Sequence, residues 1–474
     1  MTDRLPPLTM SEADMRAMMD EVGAMIVDHF SHLAERPVTR PSTLEALGAG
    51  LRESLPLGPT APAALLEQVR NFVLAEMTHQ DHPRNFAFVP GPSNFIGAMA
   101  DALSSAFNIF CGGWIGPSGT AQIELITLEW LRQLFDMPEN AGGLFVSGGS
   151  MANLTGLAVA RHEMLANNPN NATIYFSDQT HSSVAKGLKI LGFQQYQLRK
   201  IASGPDFRLP MDALKAKIAA DRQQGLVPFC IVANAGTTNT GTVDPLNDIA
   251  DFCAAEGLWM HVDGAYGGNA AISALGKEVL GGINRADSLA IDPHKWLFQP
   301  YEIGCVLVRN KNALKETFKV SAEYLKIIEA SAEQPNFSDY GVQLTRGFRA
   351  LKLWMSMKAF GIEAFRTAID GGIERARLVQ TLLEKDDCWQ IVTPAQLGIV
   401  TFRFVQPGFN EMELDSLNSR ISSELILSGF AMLSPTVLSG RTVLRMCTIN
   451  PRTTDEDIVE TIAQMKTSAI NEAM

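Results

Sequence analysis

Between about residues 142 and 308 the chain alternates short apolar runs with helix-patterned stretches, and no other feature restricts the fold as much. Candidate strands are 144–147, 173–177, 194–199, 228–233, 259–262, 288–291 and 304–308. Strands separated by helices are joined by crossovers, which favours parallel pairing, so the pattern predicts an α/β domain with a mainly parallel seven-stranded sheet. One intervening helix is clearly punctuated: Asp244 as N-cap, Pro245 in the first turn, Ile249, Phe252 and Cys253 facing inward, Gly257 past the end. In such sheets ligands bind beyond the carboxyl ends of the strands.

The flanks read differently. Up to about residue 85 the chain is helical, with Met15, Met18, Met19, Val22, Met25, Ile26 and Phe30 at helical spacing and Ser11 as N-cap. A proline-rich stretch from Pro37 to Pro62 follows, then a second helix over 62–79. These pieces are too small and too separated to form their own core, so they are expected to pack on a partner subunit. A helix over 345–360 stops at Gly361 and leads into a last region. There, strands at 397–405 and 442–448 lie among helices at 412–427 and 454–468. The expected division is a helical dimerisation segment over 1–85, a large α/β domain over 86–360 and a small α+β domain over 361–474.

Composition excludes several classes of function. With a net charge of −12 and no cluster of Lys and Arg, the 474-residue chain is not expected to carry a general nucleic-acid-binding surface. No run of about twenty apolar residues is present, so no membrane span is expected. The six cysteines include no CxxC pair, and most lie in apolar segments; they read as free thiols of a reducing compartment, and no metal site is read. Residues 1–7 carry no apolar signal-peptide core, and a cytoplasmic location is expected.

Polar residues collect at the strand ends. Val146-Ser147-Gly148-Gly149-Ser150-Met151-Ala152-Asn153 turns from strand to helix, where glycines and free N–H groups suit an anion. Ser177-Asp178-Gln179-Thr180-His181 ends in a flat imidazole able to stack on a ring. Asn234-Ala235-Gly236-Thr237-Thr238 adds small hydroxyl residues. His261-Val262-Asp263-Gly264-Ala265 sets an acid at a strand end, suited to a protonated ring nitrogen. Asp292-Pro293-His294-Lys295-Trp296 sets a lysine after an apolar run, the setting in which a neutral amine can attack a carbonyl. Singly, each also reads as a glycine turn, a helix cap, an ion pair or a strand-end lysine. Together they match the handles of pyridoxal 5'-phosphate: phosphate, ring nitrogen, ring face and carbonyl.

From about His82 through Pro451 the chain resembles the group II pyridoxal-phosphate-dependent decarboxylases, nearest their aromatic-L-amino-acid branch. The resemblance rests on Phe86-Ala87-Phe88, Ser147-Gly148-Gly149-Ser150, His181-Ser182-Ser183, His261-Val262-Asp263, Pro293-His294-Lys295-Trp296 and Phe348-Arg349-Ala350-Leu351-Lys352-Leu353-Trp354. It rests too on the spacing, with Lys295 thirty-two residues after Asp263. It implies a type I aminotransferase-like fold and a homodimer with active sites at the subunit interface. In that family pattern Lys295 holds the cofactor as a Schiff base, Asp263 pairs with the ring nitrogen and His181 stacks on the ring. Gly149 and Ser150 bind phosphate beside His294, and Thr238 and Ala265 line the ring. Asp292 stands where several relatives have Asn near the phosphate; its side chain is expected to turn away or to bond backbone donors.

The implied reaction is decarboxylation of an L-amino acid. Tyr324, twenty-nine residues after Lys295, matches the tyrosine that returns a proton to the substrate carbon, where aldehyde-forming relatives carry Phe. It lies in a stretch, 309–343, that reads as a lid. An aromatic substrate (tryptophan, tyrosine, DOPA or phenylalanine) leads, with Phe86, Phe88, Phe110, Trp114 and Thr345 as candidate pocket residues and residues 108–114 reaching in from the second subunit. Glutamate, aspartate or diaminobutyrate is the rival, since Gly91 lacks the hydroxyl that aromatic-specific relatives use. An aldehyde synthase or transaminase is a further alternative, disfavoured by Tyr324.

Overall fold

The computed structural model of the chain describes residues 8–320 and 334–473. Its main sheet contains β1 (Gly142–Val146), β2 (Ala172–Ser177), β3 (Leu198–Ile201), β4 (Val227–Asn234), β5 (Trp259–Gly264), β6 (Ser288–Ile291) and β7 (Gly304–Val308), in the order β1-β7-β6-β5-β4-β2-β3. The β3–β2–β4–β5–β6 run is parallel; β7 is antiparallel to both β6 and β1. The short link from β6 to β7 allows this reversal without a crossover. Strands β2, β5, β6 and β7 are buried at every position, as expected where helices cover both faces.

Two local expectations fail, for related reasons. The run expected as a strand at 194–199 opens as a tight turn, Gln195–Gln197. Gln197 Oε1 accepts from the Gln194 N–H at 2.8 Å, and its amide donates to Ala172 O at 3.0 Å, so β3 begins only at Leu198. Asp244 is not an N-cap. Its carboxylate accepts from Asn234 N, Asn234 Nδ2 and Leu209 N, each at 2.8 Å, and the helix Leu246–Glu256 starts after Pro245. In both cases a non-local partner, a donor for Asp244 and a carbonyl acceptor for Gln197, competes with the local pattern. Gly257 does close that helix in the left-handed conformation, φ 64°.

A second sheet, antiparallel throughout, contains β8 (Trp389–Gln396), β9 (Ile399–Phe404), β10 (Ser434–Leu438) and β11 (Arg441–Cys447), in the order β10-β11-β9-β8. β8 and β10 went unpredicted. Both are edge strands, both contain a proline, and their alternation is broken by polar residues. Helices Glu411–Ser428 and Asp455–Ala473 pack against each other beside this sheet.

Phe86 belongs to this second core, which corrects its assignment to a substrate pocket. Its N–H donates to Met432 O at 2.8 Å and its carbonyl accepts from Cys447 N at 3.0 Å. The ring is fully buried with Val400, Phe402 and Leu444. The helix expected from Thr345 begins at Arg349 instead. Arg346 is drawn inward to Glu124, at 2.6 and 3.0 Å, and to Phe145 O at 2.8 Å, so residues 345–348 take another path.

The N-terminal helix Glu12–His32 starts as expected, with Ser11 Oγ accepting from Asp14 N at 3.1 Å, yet none of its residues is buried. Met19 is 74% exposed. No helix among the described residues is long and apolar enough to cross a membrane.

Candidate active site

A cavity of about 360 Å3 opens at the carboxyl ends of β1, β2, β4, β5 and β6. Each strand contributes the residues that follow it: Ser147–Met151 after β1, His181 and Ser183 after β2, Asn234–Thr238 at β4, Asp263–Tyr266 at β5, and Asp292, His294 and Lys295 after β6. The sheet thus gathers Gly149, Ser150, His181, Thr238, Asp263, Ala265, His294 and Lys295 from five separate segments.

Each is placed by a local cause. Gly149 opens the helix Gly149–Leu165, whose first N–H groups lack intrahelical partners and so suit an anion. Only glycine fits there, since a Cβ would stand 2.7 Å from both Ala265 Cβ and Asp292 Oδ2. His181 caps the helix Ser182–Ile190: its Nδ1 accepts from the Ser183 hydroxyl at 2.8 Å and from Ser183 N at 3.2 Å, which fixes the ring. The structural reading of this histidine and the ring-stacking one therefore coexist. Asp263 accepts from Asn153 Nδ2 at 3.1 Å and from Ala265 N at 3.2 Å. Burial pushes its pKa up, opposed by the Ala265 N–H and the Lys295 ammonium. His294 is lowered by burial, so its imidazole is neutral near pH 7.

Asp292 overturns its expectation. Its side chain neither turns away nor bonds a backbone donor; it lines the cavity, with Oδ2 3.0 Å from Lys295 Nζ and 3.6 Å from His294 Nε2. Lys295 sits one turn further along the same short helix, and the attraction between two opposite charges in a buried turn decides the rotamer. Oδ1 is buried without a hydrogen-bond partner among the described residues.

The proposed pocket residues do not join this group. Phe86 is core, Phe88 is 61% and Phe110 46% exposed, Thr345 is exposed, and Trp114 packs on the main core. Phe88 has φ 51°, a turn that sends its ring outward two residues after Phe86 goes inward. Tyr324 lies outside the described residues.

Among the cavity residues given no role in sequence are Ser183, Asn234, Thr237 and Tyr266. Their signal was position alone, each within three residues of a strand-end motif. His29, His79 and Asp81 have the composition of a metal site, but Arg36 and Arg452 stand close enough for their charges to oppose a dication.

The donor set fits a phosphate-bearing pyridine aldehyde: an anion cradle, a buried carboxylate, an anchored imidazole and one lysine. A model of the pyridoxal-dependent decarboxylase conserved domain matches residues 45–405. The chain is similar to an aromatic-L-amino-acid decarboxylase of Bacillus atrophaeus, 47% identical over 464 residues that make up 98% of this chain and 97% of that protein. It is also similar to a phenylacetaldehyde synthase of Arabidopsis thaliana, 31% identical over 454 residues, 92% of this chain and 91% of that one. Among solved structures, Oryza sativa TDC with PLP and tryptamine has a TM-score of 0.92 at 28% identity, covering 99% of each chain.

Proposed function

The chain belongs to the pyridoxal-dependent decarboxylase family, and on that premise we propose that it converts an aromatic L-amino acid to the amine and CO2. The observation that carries this reading is the convergence of Gly149, His181, Asp263 and Lys295 on one cavity, in a chain 47% identical to an aromatic-L-amino-acid decarboxylase.

When bound, pyridoxal 5'-phosphate supplies a conjugated ring that accepts the electron pair released as the Cα–carboxylate bond breaks. The protein orients and stabilises. Lys295 presents its amine to the cofactor carbonyl. Asp263 holds a proton at the ring nitrogen, and a buried carboxylate does this better than an exposed one. His181, fixed by Ser183, covers one ring face and excludes water. The N–H groups at Gly149, the Ser150 hydroxyl and His294 would hold the phosphate, and Thr238 and Ala265 would hold the ring. Tyr324 delivers its phenolic proton to Cα.

Asp292 works against the phosphate once the Lys295 ammonium is consumed. Asp292→Asn is therefore expected to hold the cofactor about tenfold more tightly at pH 8. Titration of the apoenzyme with cofactor measures this, and weaker binding would mean that the carboxylate assists.

Two copies of the chain are assigned to the working enzyme. Phe107, Ile115, Val342 and Leu344 are each more than half exposed, as is Phe88, and the N-terminal helices leave apolar faces open. A second copy is the partner that would cover them. The five buried cysteines, none of them paired, fit the cytoplasm.

Release of CO2 across the twenty amino acids, DOPA and diaminobutyrate tests the substrate. Tryptophan, tyrosine, DOPA or phenylalanine is expected to exceed glutamate, aspartate and diaminobutyrate by roughly a hundredfold; preference for an acidic substrate would sink the aromatic reading. The similarity to a phenylacetaldehyde synthase keeps a second product in view. In air, Tyr324→Phe is expected to replace amine with aldehyde, ammonia and peroxide, dissolved O2 taking the two electrons and water supplying the aldehyde oxygen, and unchanged amine output would remove Tyr324 from the mechanism.

A further inference from the structure

Behind Asp263 runs a chain of buried hydrogen bonds. Trp259 Nε1 lies 2.9 Å from Ser288 Oγ, which lies 2.8 Å from His261 Nδ1. His261 Nε2 lies 3.0 Å from Asn153 Oδ1. Asn153 Nδ2 then reaches two acceptors, Asp263 Oδ2 at 3.1 Å and Ser183 Oγ at 3.0 Å. Ser183 in turn reaches His181 Nδ1 at 2.8 Å. All seven residues except the cavity-facing His181 are buried.

The Asp263 end and the burial of His261 together settle the protons. Asp263 accepts from Asn153 Nδ2, so Asn153 Oδ1 faces His261 Nε2, which must carry hydrogen. The neutral ring then accepts at Nδ1 from the Ser288 hydroxyl, whose oxygen takes the Trp259 indole N–H. That leaves the two amide hydrogens of Asn153 for Asp263 and Ser183, and the Ser183 hydroxyl for His181. Burial lowers the His261 pKa to about 3, so the ring stays neutral and the direction of the chain does not change between pH 5 and 9. The fold makes room for it: Gly156, in the helix above, faces the imidazole, and a Cβ there would lie 2.8 Å from His261 Cε1.

We infer that His261 and Asn153, backed by Ser288, are positioning residues that orient both the acid that serves the cofactor ring nitrogen and the imidazole that covers its face. This role presupposes the cofactor reading above. Asn153 held in the opposite amide orientation would point its oxygen at Asp263, and two acceptors facing each other in a dry site would displace the carboxylate from the ring nitrogen.

The test compares two cofactors: pyridoxal 5'-phosphate and its 1-deaza analogue, in which C–H replaces the ring nitrogen. Their dissociation constants are measured by titrating apoenzyme of the wild type, His261→Leu and His261→Gln. His261→Leu is expected to bind pyridoxal phosphate at least tenfold more weakly and the deaza analogue within threefold of wild type. His261→Gln, whose amide both accepts from Ser288 and donates to Asn153, is expected to recover most of the loss. Equal losses with both cofactors, or no loss with either, would overturn the inference; the first would reduce His261 to a packing role. Where His261→Leu fails to fold, Ser288→Ala serves, since it removes the hydroxyl that donates to His261 Nδ1 and keeps both rings in place. It is expected to show the same selective loss, and equal behaviour toward both cofactors overturns the inference again. A wild-type chain that bound neither cofactor would overturn the cofactor reading as well, a separable result.

Discussion

Lys295→Ala is expected to remove the near-visible absorption of the purified enzyme and to cut decarboxylation by roughly a thousandfold or more. The lysine supplies the amine in a cavity whose other groups cannot substitute: His294 is neutral and Asp292 is an acid 3.0 Å away. Absorbance of the protein with added cofactor, before and after dialysis, reads the first effect, and CO2 release reads the second. Loss of the ammonium also leaves Asp292 buried without its partner, which costs stability. The double variant Lys295→Ala/Asp292→Asn therefore separates the two causes. It is expected to recover the thermal midpoint without recovering activity or colour. A single variant that kept its absorption band would place the carbonyl on another amine and remove the basis of the mechanism.

How much of this was legible without coordinates follows from how local each signal is. The residues at the ends of β1, β2, β4, β5 and β6 announced themselves because a parallel sheet must deliver its strand ends to one edge. Short apolar runs locate those ends to within a residue or two. Asp244 and Gln197 misled because their bonding partners lie elsewhere in the chain, Asn234 with Leu209 and Ala172 respectively. Phe86 misled for a different reason. An aromatic ring beside a pocket and one in a core look the same in sequence, and the deciding contacts, to Met432 and Cys447, are more than three hundred residues away. Asn153 and His261 stood inside quoted motifs with no role attached. Their spacing carries a signal in retrospect: His261 is two residues before Asp263 and shares its face of β5, and Asn153 is one turn into the helix that Gly149 opens.

Asp263→Asn separates what this residue does for the cofactor from what it costs the fold. In the unloaded enzyme burial lifts its pKa above the unfolded value. The sign is the reverse of the usual salt-bridged aspartate: stability is highest below the unfolded pKa, near 4, and falls as pH rises through the higher folded pKa. Apo Asp263→Asn is therefore expected to match the wild type near pH 4 and to be as stable or more so at pH 8, by thermal unfolding. Activity is expected to move the other way, falling roughly a thousandfold. A neutral amide cannot hold a proton on the ring nitrogen, and the charge developing in the ring then lacks its counter-ion. Asn153 Nδ2 and Ala265 N reach different carboxylate oxygens, so the amide keeps one of the two bonds, and the loss of charge is joined by a smaller loss of anchoring. An active Asp263→Asn enzyme would mean that the ring works unprotonated, and the hydrogen-bond chain behind Asp263 would then have no chemical consequence.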